Sequence, residues 1–439
     1  MALGSFPRRL TGIAGSSTAK AGFWSLSDNA LISATSFATT LVLARSLSTE
    51  QFGAFVIAYT ALAFVNGLQS VLVLLPHNVL AAALEGEEYE AYTASLASTQ
   101  VALAALLAMV ALAVGGVASI AGAGFAPLAV ALAAAVFAWQ LQDFVRRVQY
   151  TRGRTGEAFS YDLISYGLQV VALIALWRLG ELTAVRGLYI IAATSSASFG
   201  YAYLRMRLRF AMPARAMLRR NWSFSGWLMA ENVASWLSMQ LLPLIAAAII
   251  GVSAAGVWRA VLNLIAPSNI VLNALGTYAL PRSAKAAQQG GRPAMLAFML
   301  PVSAAAGGLL VSYWLLISLS AHWLLPRLYG ESYGGYAPLV WVLCICYAGQ
   351  LINHVQWIGL VALGKTRAMF AGRLVAVAFT FTGGLWLTWQ FGLYGAAAGA
   401  FCAHMVLMLV LVQPLLGRRD EASVPEPRGA GLVAGGSEL

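Results

Sequence analysis

Charge is scarce in this sequence. Only 10% of its 439 residues are Asp, Glu, Lys or Arg, and 60% are hydrophobic, whereas ordinary soluble domains carry roughly 25% charged residues. That excludes a water-soluble globular chain. There are three cysteines, Cys344, Cys346 and Cys402, all inside apolar runs. Neither a disulfide framework nor a cysteine zinc site is indicated, and two residues apart on a helix Cys344 and Cys346 face different ways. No connection between apolar runs is long enough for a soluble domain. No P-loop occurs, and the glycine clusters in "VGGVASIAGAG" and "TGGLW" match no complete phosphate loop, so nucleotide hydrolysis is not encoded here. Neither a cofactor nor a metal is expected.

What is present is a succession of apolar runs of about 20 residues, each long enough to cross a hydrocarbon core roughly 30 Å thick. Backbone groups in lipid must be satisfied within their own segment, and the runs are about twice the length of a barrel strand, so helices are expected. The expected fold class is all-α, a polytopic membrane protein with about 12 transmembrane helices in two six-helix lobes. The spans are placed at 22–44, 52–82, 91–116, 125–147, 157–178, 185–204, 223–250, 255–280, 295–319, 336–362, 368–390 and 395–416. The run from Ala21 to Ala44 follows Arg8, Arg9 and Lys20. It exceeds a signal peptide's apolar core of about 7 to 15 residues and is interrupted by Asp28 and Asn29, so it reads as a retained helix.

Basic residues outnumber acidic ones 27 to 16. In a soluble protein that balance would point to nucleic acid; here it reports topology. Arg152 and Arg154, the run from Arg205 to Arg220, Arg282, Lys285 and Arg292, then Lys365 and Arg367 share one side with the basic ends, and only scattered arginines such as Arg45, Arg186 and Arg327 lie opposite. The positive-inside rule then puts both termini in the cytoplasm. One acidic turn, Glu85 to Glu90, breaks the pattern, although acids weigh little in topology. The expected division is a basic segment 1–21, an N-lobe 22–204, a basic linker 205–222 around Pro213, a C-lobe 223–416 and a disordered tail 417–439 with too little apolar surface to fold. Trp222, Trp227, Trp323 and Trp341 near span ends fit an interfacial aromatic belt.

The two lobes echo each other. An offset of 203 carries Trp24 onto Trp227, Asp28 onto Glu231, Asn29 onto Asn232, Gly53 onto Gly256 and Asn66 onto Asn269. Six spans return the chain to its starting side, so the repeat is parallel, and repeated transporters place their sites at the repeat interface.

Polar groups inside spans are costly and mark candidate sites. Asp28 and Asn29, with Glu231 and Asn232 in register, are the ion-coupling candidates, set against an interfacial carboxylate reached by water. Asn66, Gln69 and His77 on span two, beside a bend expected at Pro76, and Arg259, Asn263, Asn269 and Asn273 on span eight are substrate-cavity candidates. So are Gln350, Asn353 and His354 on span ten, and Arg373. The alternative for each amide is a bond to a neighbouring helix; for Arg259 and Arg373 it is snorkelling to the interface. Asp143 with Arg146 or Arg147 reads as a structural ion pair, and His322 and His404 as structural histidines.

Three segments carry a family likeness. "LVLARSLSTEQFGAFVIAYTALAF", "GVSAAGVWRAVLNLIAPSNIVLNALGTYALPRSAK" and "GLVALGKTR" resemble the polysaccharide transporters of the multidrug/oligosaccharidyl-lipid/polysaccharide (MOP) flippase superfamily. The resemblance implies a two-lobed, MATE-like, Wzx-type flippase that moves a polyprenyl-diphosphate-linked oligosaccharide across the bacterial inner membrane by alternating access. It also implies a proton or sodium gradient as driving force, with other polysaccharide assembly proteins as partners and no catalytic residues. A multidrug and toxin extrusion antiporter of the same superfamily is the rival transporter. A membrane-embedded glycosyltransferase or polymerase is the rival enzyme, but the external connections are too short to carry its catalytic loop.

Overall fold

The computed structural model describes residues 14–81, 84–120 and 125–416, and all regular structure among them is helical. The first thirteen residues and the tail 417–439 lie outside the described residues, as do the side chains of Glu231, Trp227 and Arg367. The helices are α1 (Ala14–Ser46), α2 (Thr49–Gln69), α3 (Leu75–Leu80), α4 (Gly86–Ile120), α5 (Ala126–Thr151), α6 (Thr155–Arg178), α7 (Ala184–Met206), α8 (Arg215–Ile250), α9 (Ser253–Ile265), α10 (Ser268–Tyr329), α11 (Ala337–Ala362), α12 (Thr366–Phe379) and α13 (Leu385–Leu416). The chain is a multi-pass membrane protein. Seven helical stretches meet the length and apolarity of a span outright, and the pair Leu228–Leu237 and Gln240–Ile250, bent by 43°, makes an eighth.

Backbone breaks reconcile these with twelve expected spans. The 62-residue α10 turns at Gly290 and Gly291, where Gly291 has φ 65°, and α13 turns at Gly392 with φ 60°. Such positive φ values suit a residue without a Cβ. Divided there, α10 supplies two membrane-length segments; α12 runs on through the π-turn Thr380–Gly384 into the first turns of α13 as one segment and the rest of α13 is another, and α9 joins the first half of α10 across Pro267.

Helices α1 to α7 pack mainly on one another, chiefly α5 on α4 and α7 and α1 on α6; α10 to α13 pack together, with α8 against α12 and α13 and α9 between α8 and α10, touching both and α11 while it also crosses α2. These groups are called the N-bundle and C-bundle below. The side on which α1 begins is the lower side, and that on which it ends is the upper side.

Between α2 and α3, Ser70–Leu74 forms a π-turn, in which the Leu75 N–H bonds to the Ser70 carbonyl. The expected bend at Pro76 takes this form for a definite reason. In a π register the Val71 carbonyl would accept from residue 76, which is proline and has no N–H. Instead Ser225 Oγ of α8 donates to Val71 O at 2.8 Å, so a local defect of one helix becomes a contact between bundles.

Candidate functional site

Asp28 is fully buried on α1, not at a wet interface. Its Oδ2 accepts from Arg146 Nη2 at 2.7 Å and Nε at 3.2 Å, and from the Tyr150 hydroxyl at 2.5 Å, both residues on α5. The Arg146 guanidinium also meets Asp143 Oδ1 at 3.2 Å and Asp162 Oδ2 of α6 at 2.6 Å. One cation therefore sits among three carboxylates. Arg147, more exposed, reaches Asp143 at 3.8 Å. Counting both arginines, the cluster has one more carboxylate than guanidinium.

The shortfall falls between two particular groups. Asp28 and Asp162 both close on the same guanidinium, Asp28 Oδ2 at 2.7 Å from Arg146 Nη2 and Asp162 Oδ2 at 2.6 Å from Arg146 Nε. Asp28 Oδ1 and Asp162 Oδ2 find no donor among the described residues, because the Arg146 Nε–H beside Asp162 is aimed at Asp28. Asp162 Oδ1 is served by Gln142 at 3.1 Å, itself held by Ser165 at 3.0 Å. With three carboxylates set against two guanidiniums, one negative charge of the cluster is open to a proton or cation. An unsatisfied buried acceptor otherwise costs about 1–3 kcal/mol. Among the described residues, no group of three or more His, Cys, Asp or Glu has metal-binding geometry.

This site overlaps the sequence expectation at Asp28 and departs from it elsewhere. Asn29 is exposed and donates to Ser25 O of its own helix at 2.8 Å, so it does not join Asp28. Asn232 lies against Gly67 of α2, its Oδ1 3.1 Å from where a Cβ would stand. It packs α8 on α2 and is apart from the Asp28 cluster. Asp143 and Arg146, expected as an isolated pair, belong to the cluster. Asp162 and Tyr150 were not singled out by sequence. The usable signal was a carboxylate six positions into span five with Tyr on either side, at Tyr161 and at Tyr166 one turn on.

The substrate-cavity candidates also separate. Gln69 donates to the Gln140 carbonyl at 2.7 Å, and His77 is buried between Thr93 and Thr151, each at 3.2 Å, among Tyr89, Tyr92 and Phe144. Both are internal braces of the N-bundle. Asn263 is turned into the C-bundle to Tyr329 Oη at 3.1 Å, and Asn269 lies beside Tyr347. Asn353 donates to His404 Nδ1 and O at 3.0 and 3.2 Å, which gives His404 the partner that the sequence did not reveal; Arg373 faces the same histidine. His354 stacks on Trp357, and its Nε2 lies 3.1 Å from where a Cβ on Gly276 of α10 would stand. For Gln69, His77, Asn263 and Asn353 the helix-bonding alternative holds, because a buried amide or imidazole is satisfied by the nearest neighbouring helix. Asn66 and Gln350 are half-buried and Asn273 is exposed.

Arg259 is the exception. It leaves the C-bundle on α9 and enters a small enclosed cavity of about 40 Å³, room for a few waters at about 15 Å³ each. Every other lining residue belongs to the N-bundle, including Thr35, Ser36 and Thr39 of α1, Tyr59 of α2, and Tyr166 and Gln169 of α6. Its Nη2 donates to Ser36 Oγ at 3.3 Å and its guanidinium lies over the Tyr59 ring at 5.4 Å. It is thus neither an interfacial anchor nor a wall of a wide cavity.

The arginine enters where the bundles are sealed. A Cβ on Gly53 would lie 2.1 Å from the Val252 carbonyl, and one on Gly256 would lie 2.9 Å from Phe52 and 3.3 Å from the Gly53 nitrogen. At this upper crossing α2 and α9 touch backbone to backbone. Lower down, Phe64 meets Trp236 at 4.5 Å and Tyr92 donates to Asn221 at 2.9 Å. The acidic turn that breaks the basic pattern faces Arg152, Arg154 and Arg209 across an open groove, with Glu90 paired to Arg152 at 2.6 Å.

No family model matches the sequence, and no curated protein matches it. Solved structures do. An inward-facing multidrug resistance MATE family transporter of the MOP superfamily superposes with TM-score 0.69 at 14% identity, covering 87% of this chain and 94% of its own. A MOP superfamily transporter from Pyrococcus furiosus, whose binding pocket is described as reversed in polarity, gives 0.62 at 13%, covering 91% and 95%. The eukaryotic MATE transporter AtDTX14 gives 0.58 at 14%, covering 91% and 95%. The fold is therefore that of MATE-like transporters. At these identities the likeness speaks for architecture, and the MOP superfamily hosts more than one function on it.

Proposed function

We propose that the protein is an alternating-access transporter that flips a polyprenyl-diphosphate-linked oligosaccharide across the bacterial inner membrane, driven by a proton or sodium gradient. Its termini lie in the cytoplasm, the lobes are 22–204 and 223–416, and 205–222 links them. The observation that carries the transport reading is the buried cluster in which Asp28, Asp143 and Asp162 share Arg146, with Asp28 Oδ1 left without a hydrogen-bond donor among the described residues. A buried, under-neutralised carboxyl cluster inside a membrane bundle is a place for a proton or cation to bind and leave. Within it, Arg146 and Tyr150 position Asp28, and Gln142 positions Asp162.

The substrate class rests on the likeness of the segments at spans one to two, seven to eight and after span ten to polysaccharide transporters. In this reading Asn66, Asn273 and Gln350 are amides that would meet sugar. Deleting the gene should make lipid-linked oligosaccharide accumulate on the cytoplasmic face, with restoration by the intact gene and not by Asp28→Asn. The second reading is an antiporter of cationic drugs, favoured by the buried carboxylates. It would appear instead as drug hypersensitivity of the deletion strain with no change in lipid-linked sugar.

A further inference from the structure

We infer that Arg259 makes cation occupancy of the Asp28 and Asp162 carboxyls depend on closure of the α2–α9 crossing. The inference rests on the ion-coupling reading above and adds the element that links the ion to the gate.

The guanidinium belongs to one bundle and its cavity to the other. It reaches the N-bundle only because Gly53 and Gly256 let α2 and α9 meet at backbone distance. Among the described residues no carboxylate pairs with it; its partners are the neutral Ser36 hydroxyl and the Tyr59 ring. Its charge is thus not cancelled on the spot. Separating the bundles at this crossing withdraws a full positive charge from the N-bundle, and closing them restores it.

The carboxyls are near enough to respond. Ser36 is eight residues beyond Asp28 on α1, about 12 Å at 1.5 Å per residue. Between them the N-bundle is polar: Thr39 accepts from Gln169 at 2.9 Å, and Tyr166 on the cavity wall faces Asp162, Asp143 and Arg146. The charged and titratable groups around the carboxyl pair are Asp28 on α1, Asp143, Arg146, Arg147 and Tyr150 on α5, and Asp162 and Tyr166 on α6. Tyr59, Tyr329 and Tyr347 face Arg259. None of these changes bundle when the crossing opens except Arg259 with its C-bundle neighbours. At about 12 Å and an effective dielectric near 20, one unit charge alters the binding of another by about tenfold.

The direction follows from sign. With the crossing closed, Arg259 repels a proton or cation at the carboxyls and favours its release below; with it open, the carboxyls bind more tightly. Linkage is reciprocal, so ion binding must favour the open crossing by the same factor.

The test uses the full-length protein in lipid nanodiscs, carrying spin labels at Glu50→Cys and Glu331→Cys, exposed positions at the upper ends of the two bundles, with Cys402→Ser. Interbundle distances are recorded with protons or sodium varied, in the otherwise native protein and in Arg259→Lys, Arg259→Gln and Tyr59→Leu. The native protein should shift its open-to-closed ratio by about tenfold on ion saturation. Arg259→Lys should keep most of that shift, Arg259→Gln should reduce it below twofold while proton or sodium binding persists, and Tyr59→Leu should fall between. An Arg259→Gln protein that binds the ion and shifts as the native one does overturns the inference alone. A native protein that neither binds nor responds to either ion, like an Asp28→Asn control, overturns the coupling reading and the inference with it.

Discussion

Gly53 and Gly256, 203 positions apart in sequence, meet at the crossing of α2 and α9, where a Cβ on Gly256 would stand 3.3 Å from the Gly53 nitrogen. The internal repeat thus shows itself as a contact: two positions matched by the offset lie against each other. Close backbone approach of this kind is what small residues provide between membrane helices.

Adding a methyl at either position should therefore open the upper seal. Gly53→Ala drives a carbon into the Val252 carbonyl, an overpacking cost of about 1–3 kcal/mol against the closed arrangement, or roughly 5- to 150-fold in population. Cysteines placed at upper ends of the bundles should become more reactive to a membrane-impermeant thiol reagent. Unchanged labelling would show that the crossing is not the seal.

Removing the shared cation should unfold the N-bundle before it alters anything else. Arg146→Met leaves Asp28, Asp143 and Asp162 buried without their partner, which costs about 3–5 kcal/mol. Thermal unfolding in detergent should fall accordingly, and the combination of Arg146→Met with Asp28→Asn and Asp162→Asn should recover much of the loss. Equal melting of native and Arg146→Met proteins would mean the cluster is not assembled as described.

Adjacent residues on α1 should behave differently. Asp28→Asn should abolish the dependence of transport on proton or sodium gradients, and Tyr150→Phe, which loses a charge-assisted bond worth about 1.5–3 kcal/mol, should weaken it. Asn29→Ala should leave it intact, because Asn29 bonds only to its own helix. Gradient-driven uptake into vesicles would separate the three.

His77 and Gln69 should matter for stability and not for substrate choice. Each joins α2–α3 to α4 or α5, so His77→Ala or Gln69→Ala should lower the melting point by an amount equivalent to about 1–3 kcal/mol, with the ranking of transported substrates unchanged. A changed ranking would return them to the cavity.

The interbundle bond from Ser225 should be dispensable only when the proline is. Ser225→Ala strands the Val71 carbonyl and costs about 1–3 kcal/mol; with Pro76→Ala added, a regular N–H becomes available and the penalty should shrink. Measuring the two single variants and the double variant gives the coupling directly.

Much of the architecture was legible in order along the chain. Apolar length and the lack of charge are local facts, and they suffice to place the helices, the connections in which Gly290, Gly291 and Gly392 turn the chain, and the even count of segments, because in lipid each segment must satisfy its own backbone. The repeat was legible for the same reason, and it named Gly53, Gly256 and Asp28. What it could not convey was where matching residues go. Asn29 and Asn232 are in register, yet one bonds to its own helix and the other packs on Gly67, because helix rotation is set by packing and not by offset. Asp143 with Arg146 was visible as a spacing of three, but that Asp28 and Asp162 come to the same guanidinium depends on α1, α5 and α6 being mutual neighbours. Only the tertiary structure decides that, and it alone puts the C-bundle's Arg259 inside the N-bundle, since an interbundle distance has no counterpart in a linear sequence.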